Sequence, residues 1–297
     1  MSRMSELVTA VITTYKRKPE IVERALKSIL AQTYENLEIF VVDDSPADYP
    51  FRDEVAATVK QYENTGVRYI PHSRNMGACA ARNTGLEAAA GTYIGYLDDD
   101  DEWLPEKIEK QVAVFEKGDE NLGLVYNCDI VQNEELGEII YGKGYPLHGS
   151  VFQELLKKGN VIGGTSIPLM RTSALKEIGG FDISLKATQD YDVWLRIAEK
   201  YTIEFIDEHL NRYYIHKEGQ ITSNPENRLS ARLHMIRKYE QYFLADPYLC
   251  WKKHMDIAWA YAETGKKKTA LQLYVRYLWK QPLRVKENLR YLYLILR

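Results

Sequence analysis

What this chain does without narrows its class. No apolar run approaches the roughly 18 residues that a membrane-spanning helix requires. The first apolar run, 7–12, passes straight into Thr13 and Thr14, which is not the layout of a secretory signal peptide. Cysteine is scarce. Cys79, Cys128 and Cys250 lie far apart, with no CxxC pair and no metal-ligand spacing, so they read as reduced thiols in a cytoplasmic protein. Neither a GxGxxG nor a Walker-type loop is present, which disfavours classical dinucleotide binding and P-loop NTP hydrolysis. The remaining composition, 45% hydrophobic and 27% charged, is that of an ordinary soluble domain. A length of 297 residues allows one large domain, or one domain with an appendage.

The small net charge of −3 hides a split. From Arg228 onward, 15 Lys and Arg stand against 5 Asp and Glu, about +10; the totals of 39 and 42 leave 24 against 37 before it, about −13. Such an imbalance implies two regions with different partners. The basic third is rich in Tyr and Trp, a composition compatible with an anionic membrane surface or nucleic acid.

Acidity is concentrated in one place. A hydrophobic run, 93–97, ends abruptly in Asp98, Asp99, Asp100 and Asp101, followed by Glu102, Trp103 and Pro105. Adjacent carboxylates repel and raise one another's pKa unless something compensates. Taken alone, the run fits a solvated acidic turn before a helix. At the end of a buried strand it fits a site for Mg²⁺ or Mn²⁺, hard cations that take carboxylate oxygens and bridge to substrate phosphates.

Periodicity favours the second reading. Strand patterns at 7–13, 38–42, 67–71, 92–97 and 122–131 alternate with helical patterns starting near Pro19 and at 52–63, 76–90 and 105–115. This alternation predicts an α/β fold with a mostly parallel sheet flanked by helices. Ligands of such sheets bind beyond the carboxyl ends of the strands. Thr13 to Tyr15, Asp43 to Asp44 and Asp98 to Asp101 all fall there and are expected to line one crevice. Beyond 150 the pattern loosens, with a helix at 151–158, a Gly163-Gly164-Thr165-Ser166 loop and a helix at 191–200. From Pro225 everything reads helical, with breaks near Pro247, Gly265 and Pro282. The predicted domains are therefore 1–225 and an all-helical extension, 226–297.

Four blocks, in order, resemble the family 2 glycosyltransferases over roughly residues 5–225. They are Val11-Ile12-Thr13-Thr14-Tyr15 with the helix ending Ser28-Ile29-Leu30-Ala31-Gln32-Thr33-Tyr34; Val41-Val42-Asp43-Asp44-Ser45; Arg74-Asn75-Met76-Gly77 with Ala81-Arg82-Asn83 and Gly91 to Asp101; and Gly179-Gly180-Phe181-Asp182 with Gln189-Asp190-Tyr191-Asp192-Val193-Trp194. The resemblance implies a GT-A, Rossmann-like nucleotide-sugar domain and an inverting transferase that uses a nucleotide-diphospho-sugar, most often a UDP-sugar.

It also implies roles. Thr13 and Tyr15 match positions that meet the base, with Tyr15 as a stacking platform. Asp44 matches the acceptor of a base N–H, usually uracil N3–H; a carboxylate accepts and cannot donate. Arg82 matches a position near the nucleotide-sugar, and a salt bridge to the acidic loop is the rival role. Asp98 and Asp100 form the DxD pattern, with Asp99 where the family often has a small polar residue. Asp98 faces the ribose or metal region, Asp99 is grouped with it on the donor, and Asp100 is the direct ligand of a Mn²⁺ or Mg²⁺ that stabilises charge on the leaving diphosphate. His216 matches a late histidine near the diphosphate or metal, and Thr222 and Ser223 follow it. Asp101 caps the next helix or braces the ligands. Asp190 matches the general base that takes the acceptor hydroxyl's proton. The family often has Glu where this chain has Gln189. Asp192 and Arg196, one helical turn apart, read as a structural pair.

The tail from Ala260 to Pro282 resembles one tetratricopeptide-type helical hairpin, which cannot bury its own apolar face. Its lysines, arginines and tryptophans fit docking on anionic lipid, or a solvated basic face packed by aromatics. The combined expectation is a cytoplasmic enzyme, peripheral at the inner face of the cell membrane. It would take a nucleotide-diphospho-sugar donor and a glycan or lipid-linked acceptor of cell-surface polysaccharide, and no nucleic acid. Rival readings are a nucleotidyltransferase, for which Lys16-Arg17-Lys18 lacks the glycines, and a catalytically silent scaffold, which the intact acidic positions disfavour.

Overall fold

The structure, a computed structural model, describes residues 5–215 and 224–297. The chain divides into two compact units, Met1–Ile183 with Asp190–Lys217, and Ser184–Gln189 with Glu218–Arg297.

The α/β region opens with the expected alternation: β1 (Val8–Thr14), α1 (Pro19–Leu30), β2 (Leu37–Asp43), α2 (Arg52–Lys60), β3 (Val67–Pro71), α3 (Ala78–Ala88) and β4 (Tyr93–Asp98). It continues through β5 (Glu102–Trp103), α4 (Lys107–Lys117), β6 (Leu122–Asn133), β7 (Glu138–Tyr141), α5 (Phe152–Lys158), β8 (Leu169–Arg171), α6 (Thr172–Glu177), α7 (Gln189–Lys200) and β9 (Thr202–Ile215). One sheet runs β3-β2-β1-β4-β8-β6-β9-β5, with β7 on β6. The first four strands in that order are mutually parallel. Beyond them the sheet is mixed: β8 is antiparallel to β4 and β6, and β6 is parallel to β9. Strand order reverses between β1 and β4, the switch point at which open sheets admit ligands.

The core explains the sequence pattern. Ala10, Val11 and Ile12 of β1 and Val41 and Val42 of β2 are buried, so these strands read as continuous apolar runs. α1 contributes the amphipathic face Val22, Ala25, Leu26 and Ile29. At the opposite end of the sheet from the aspartates, Glu38 ties β1, β2 and the approach to β4 together. Its Oε1 accepts from Thr9 Oγ1 at 2.6 Å and Ala90 N–H at 2.7 Å, and its Oε2 from Arg68 at 2.8 Å. Gly95 interrupts β4 for a packing reason. A Cβ there would sit 2.9 Å from the Trp103 ring, which lies against the strand.

The helical unit contains α8 (Pro225–Lys238), α9 (Glu240–Ala245), α10 (Pro247–Glu263), α11 (Lys267–Leu278) and α12 (Val285–Leu296). Asn224 and Asp246 accept from the first N–H groups of α8 and α10, each followed by Pro at the first helical position. Breaks fall at Pro247, Gly265 and Pro282 as the sequence predicts, and one more, at Tyr239 between α8 and α9, carries no proline or glycine signal. Buried Ala258, Ala260 and Ala270 let α10 and α11 approach closely, and Gly265 turns the chain with a φ of 78°. Trp251, Met255, Tyr274 and Ile295 fill the small core of this hairpin and α12. Among the described residues, no helix is long and apolar enough to cross a membrane.

Candidate active site

Parallel register brings the strand ends together. Thr14 of β1 pairs with Asp43 of β2, and Thr13 pairs with Asp98 of β4. Thr13 is half-buried, and Tyr15, just past the strand, is exposed.

Asp98 is the centre of one cluster. Its carboxylate accepts from Arg82 Nη2 at 2.9 Å and from Thr165 Oγ1 at 3.2 Å. Its backbone N–H donates to Ser166 Oγ at 3.1 Å, and that hydroxyl donates to Asp101 Oδ2 at 2.6 Å. Trp103 Nε1 donates to the Ser166 carbonyl at 2.8 Å, so four hydrogen bonds tie the 163–166 loop to residues 98–103. Arg82 therefore makes the ion pair foreseen as its rival role, from a buried position on α3. Asp101 is a brace and not a cap: α4 begins at Lys107, its N-cap position is Glu106, and no side chain caps it. Burial, with the charge of Asp98 nearby, pushes the Asp101 carboxyl well above its ordinary range.

Asp99 and Asp100 face a cation of the chain itself. Arg17 Nε donates to Asp99 Oδ1 at 2.8 Å, and Arg17 Nη2 donates to Asp100 Oδ2. Arg24 adds a bond to the Asp100 carbonyl at 3.0 Å. The Tyr15 N–H reaches Asp99 Oδ2 at 3.4 Å, linking the β1 and β4 ends. Burial pushes Asp99 up to about 7 despite the Arg17 charge, and the neighbouring Asp100 adds to the rise.

Asp44 is buried and nearly saturated. Oδ1 accepts from Met76 N–H and from His72 Nδ1, each at 2.7 Å, and Oδ2 accepts from Gly77 N–H at 2.7 Å. The carboxylate partner makes Nδ1 a donor, and His72 Nε2 pairs with Thr84 Oγ1 at 2.9 Å. Gly77 adopts a φ of 92° at the N-cap of α3, which is why the helix starts at Ala78 and not at Met76.

Asp190 opens α7. Asn160 Nδ2 donates to its Oδ2 at 2.8 Å, and its own backbone neighbour Tyr191 N–H donates to Oδ1 at 2.8 Å. The same Asn160 holds the 163–166 loop by accepting from Gly163 N–H at 3.0 Å, and Trp194 Nε1 donates to the Gly163 carbonyl at 3.0 Å. Burial raises the Asp190 carboxyl above its ordinary range; Arg82 and Asp98 lie close enough to act on its charge in opposite senses. Asn160 and the 163–166 loop thus connect Asp190 to the Asp98 cluster, although 92 residues of sequence separate the two. Asp192, by contrast, is buried and paired with Arg196 at 2.8 Å, as predicted. His216, Thr222 and Ser223 lie outside the described residues.

Several site residues escaped sequence reasoning. Arg17 had a visible signal, a basic triplet directly after β1 in a chain with four consecutive aspartates. His72, Asn160 and Ser166 had none, because each acts through a partner far away in sequence.

Among the described residues, no three Asp, Glu, His or Cys side chains converge as a ligand cage. Asp100 offers one carboxylate, already facing a cation, with Asp98 nearby. That suits a hard ion that takes one or two carboxylates and completes its shell with water and phosphate oxygens.

A mixed sheet with carboxylates gathered at its β1/β4 switch point is the architecture of a GT-A glycosyltransferase. Comparison with known proteins gives the family: the model "Glycosyl transferase family 2" matches residues 9–179, and the chain belongs to that family. It is 32% identical over 80% of its length to the putative colanic acid biosynthesis glycosyl transferase WcaA of Escherichia coli K12, covering 82% of that protein. It is 29% identical over 68% of its length to the Escherichia coli UDP-Glc:alpha-D-GlcNAc-diphosphoundecaprenol beta-1,3-glucosyltransferase WfgD, covering 73% of it. Among solved structures, the mannosyltransferase PcManGT of Pyrobaculum calidifontis, in complex with GDP-Man and Mn²⁺, superposes with a TM-score of 0.59 at 19% identity, over 91% of this chain and 74% of that one. S. aureus TarS 1–349 with UDP-GlcNAc gives 0.56 at 18% identity, over 77% of this chain and 66% of that one. The likeness to these two structures concerns the fold.

Proposed function

We propose that the chain is an inverting transferase that moves one sugar from a UDP-sugar to a hydroxyl of a lipid-linked or glycan acceptor in polysaccharide synthesis, at the inner face of the membrane. The observation that carries this reading is the position of Asp190. Its carboxylate, oriented by Asn160, is joined through the same Asn160 and the 163–166 loop to Asp98 at the end of β4. A base there takes the proton of an incoming hydroxyl while the diphosphate leaves from the strand-end side, so that the anomeric carbon inverts in one displacement.

Thr13, Tyr15 and Asp44 are assigned to the nucleotide, and Arg82, Asp98 and Asp99 to the donor's ribose and sugar side. The lone-pair count at Asp44 favours uracil. A carboxylate has about four acceptor sites. Three are filled, two of them on Oδ1, which leaves one on Oδ2. Uracil presents a single N–H at N3. Guanine presents N1–H and the N2 amino group side by side and calls for both oxygens. Asp100, with His216, would hold Mn²⁺ or Mg²⁺. That ion neutralises charge on the departing nucleoside diphosphate when bound. The name of WfgD, with its UDP-Glc donor and diphosphoundecaprenol-linked acceptor, agrees with this reading.

The test is a donor panel read as released nucleoside diphosphate, with and without Mn²⁺ or Mg²⁺. UDP-sugar turnover that EDTA abolishes and Asp100→Ala loses is expected. Preferential turnover of a GDP-sugar would contradict the uracil assignment, and EDTA-insensitive turnover would contradict the ion.

A further inference from the structure

The outer face of α12 is exposed and apolar. Its inner face is fixed to the helical hairpin. Asn288 Oδ1 accepts from Trp251 Nε1 at 3.0 Å, Asn288 Nδ2 donates to the Gln281 carbonyl at 2.9 Å, and Tyr291 donates to Asp256 at 2.5 Å. Ile295 is fully buried. With that rotation set, Val285, Leu289, Tyr293 and Leu296 are each more than half exposed. Their spacing of four, four and three residues confines them to about 80° of arc at roughly 100° per residue. Trp279 and Leu283, the latter 94% exposed, add two exposed apolar side chains in the turn before the helix.

Charge decides what this strip fits. On the same helical projection Lys286, Arg290 and Arg297 fall in the sector next to the apolar residues, and Glu287 falls on the far side. Over 264–297, 9 Lys and Arg stand against 1 Glu. Lys280 and Arg284 sit in the turn beside Trp279 and Leu283. Apolar side chains bordered by cations, with a Trp at the edge, are the chemistry of a helix lying in a bilayer interface. A protein groove that took the apolar strip would have to be acidic along its whole rim.

We infer that α12 and the turn before it form a docking face for an anionic phospholipid surface, with Trp279, Leu283, Leu289 and Tyr293 entering the headgroup boundary and Lys286 and Arg290 meeting lipid phosphates. This deepens the reading of a membrane-facing transferase and rests on it only for its biological use. Vesicle binding is measured apart from sugar transfer, so each can fail alone.

The experiment is flotation of the full chain with vesicles of phosphatidylglycerol and phosphatidylcholine, against pure phosphatidylcholine. Partition to the anionic vesicles is expected, weakening as salt is raised. Leu289→Ser with Tyr293→Ser should reduce partition roughly ten-fold or more. Lys286→Glu with Arg290→Glu should reduce it about as much and remove most of the salt dependence. UDP release from the donor should be unchanged in both, which shows the variants folded. Equal binding to neutral vesicles, or unchanged partition of either variant, would overturn the inference. So would a self-association that Leu289→Ser abolishes in a chain that ignores vesicles, since a second copy would then cover the face.

Discussion

Asn160 shows how much a single side chain carries. It donates to Asp190 and also accepts from the loop that holds Thr165 and Ser166 near Asp98. A hydrogen bond to an ionised carboxyl lowers its pKa, so removing the donor raises Asp190 further. The base acts when deprotonated. Activity should therefore be lost as pH falls through a limb above the ordinary carboxylate range of about 4. Asn160→Ala should move that limb to higher pH and lower kcat by about ten- to hundred-fold, through misplacement of the base. A pH–rate profile of both proteins checks this; coincident limbs would count against the assignment. His72 supports a different function. His72→Phe strips Asp44 of one partner and leaves the Thr84 hydroxyl unpaired, at a cost of about 1–3 kcal/mol. Chemical denaturation measures that cost. Because Asp44 is assigned to the base and not to the reacting carbon, KM for the donor should rise more than kcat falls.

At the scale of elements, the sheet's tolerance for error is small where backbone meets backbone. A Cβ on Gly91 would lie 2.6 Å from the Thr9 nitrogen and 2.9 Å from the Leu7 carbonyl oxygen. Gly91→Ala should therefore part β1 from the entry to β4 and cost about 1–3 kcal/mol or more, read by denaturant unfolding. Wild-type stability in that variant would mean the two strands can shift at no cost. Legibility also varied by element. β1, β2 and β4 were readable because both their faces are buried and their apolar runs are unbroken. β9, the longest strand among the described residues, leaves no strand signal in the sequence. Glu204, Asp207, Glu208 and Arg212 interrupt it, its middle is partly exposed, and its pairing with β6 shifts register at Asn127 and Cys128. β5 and β8 are two and three residues long, too short to show a period. The acidic positions of the site were legible from motif and strand-end logic. Their partners were not, because a hydrogen bond between Asn160 and Asp190 leaves no mark in local sequence.

For the molecule as a whole, the split of charge matches a division of labour. The acidic α/β unit presents carboxylates at the switch point, and the basic helical unit presents a cationic, apolar face. The central claim concerns the first: one crevice binds the donor, and Asp190 supplies the base. Asp190→Asn keeps size and one of the two accepted hydrogen bonds but cannot take a proton at neutral pH. Its UDP-sugar affinity by titration calorimetry should match that of the wild type, while transfer to acceptor falls by roughly 10²–10⁴-fold. Full transfer by Asp190→Asn, or loss of donor binding in step with transfer, would contradict the account.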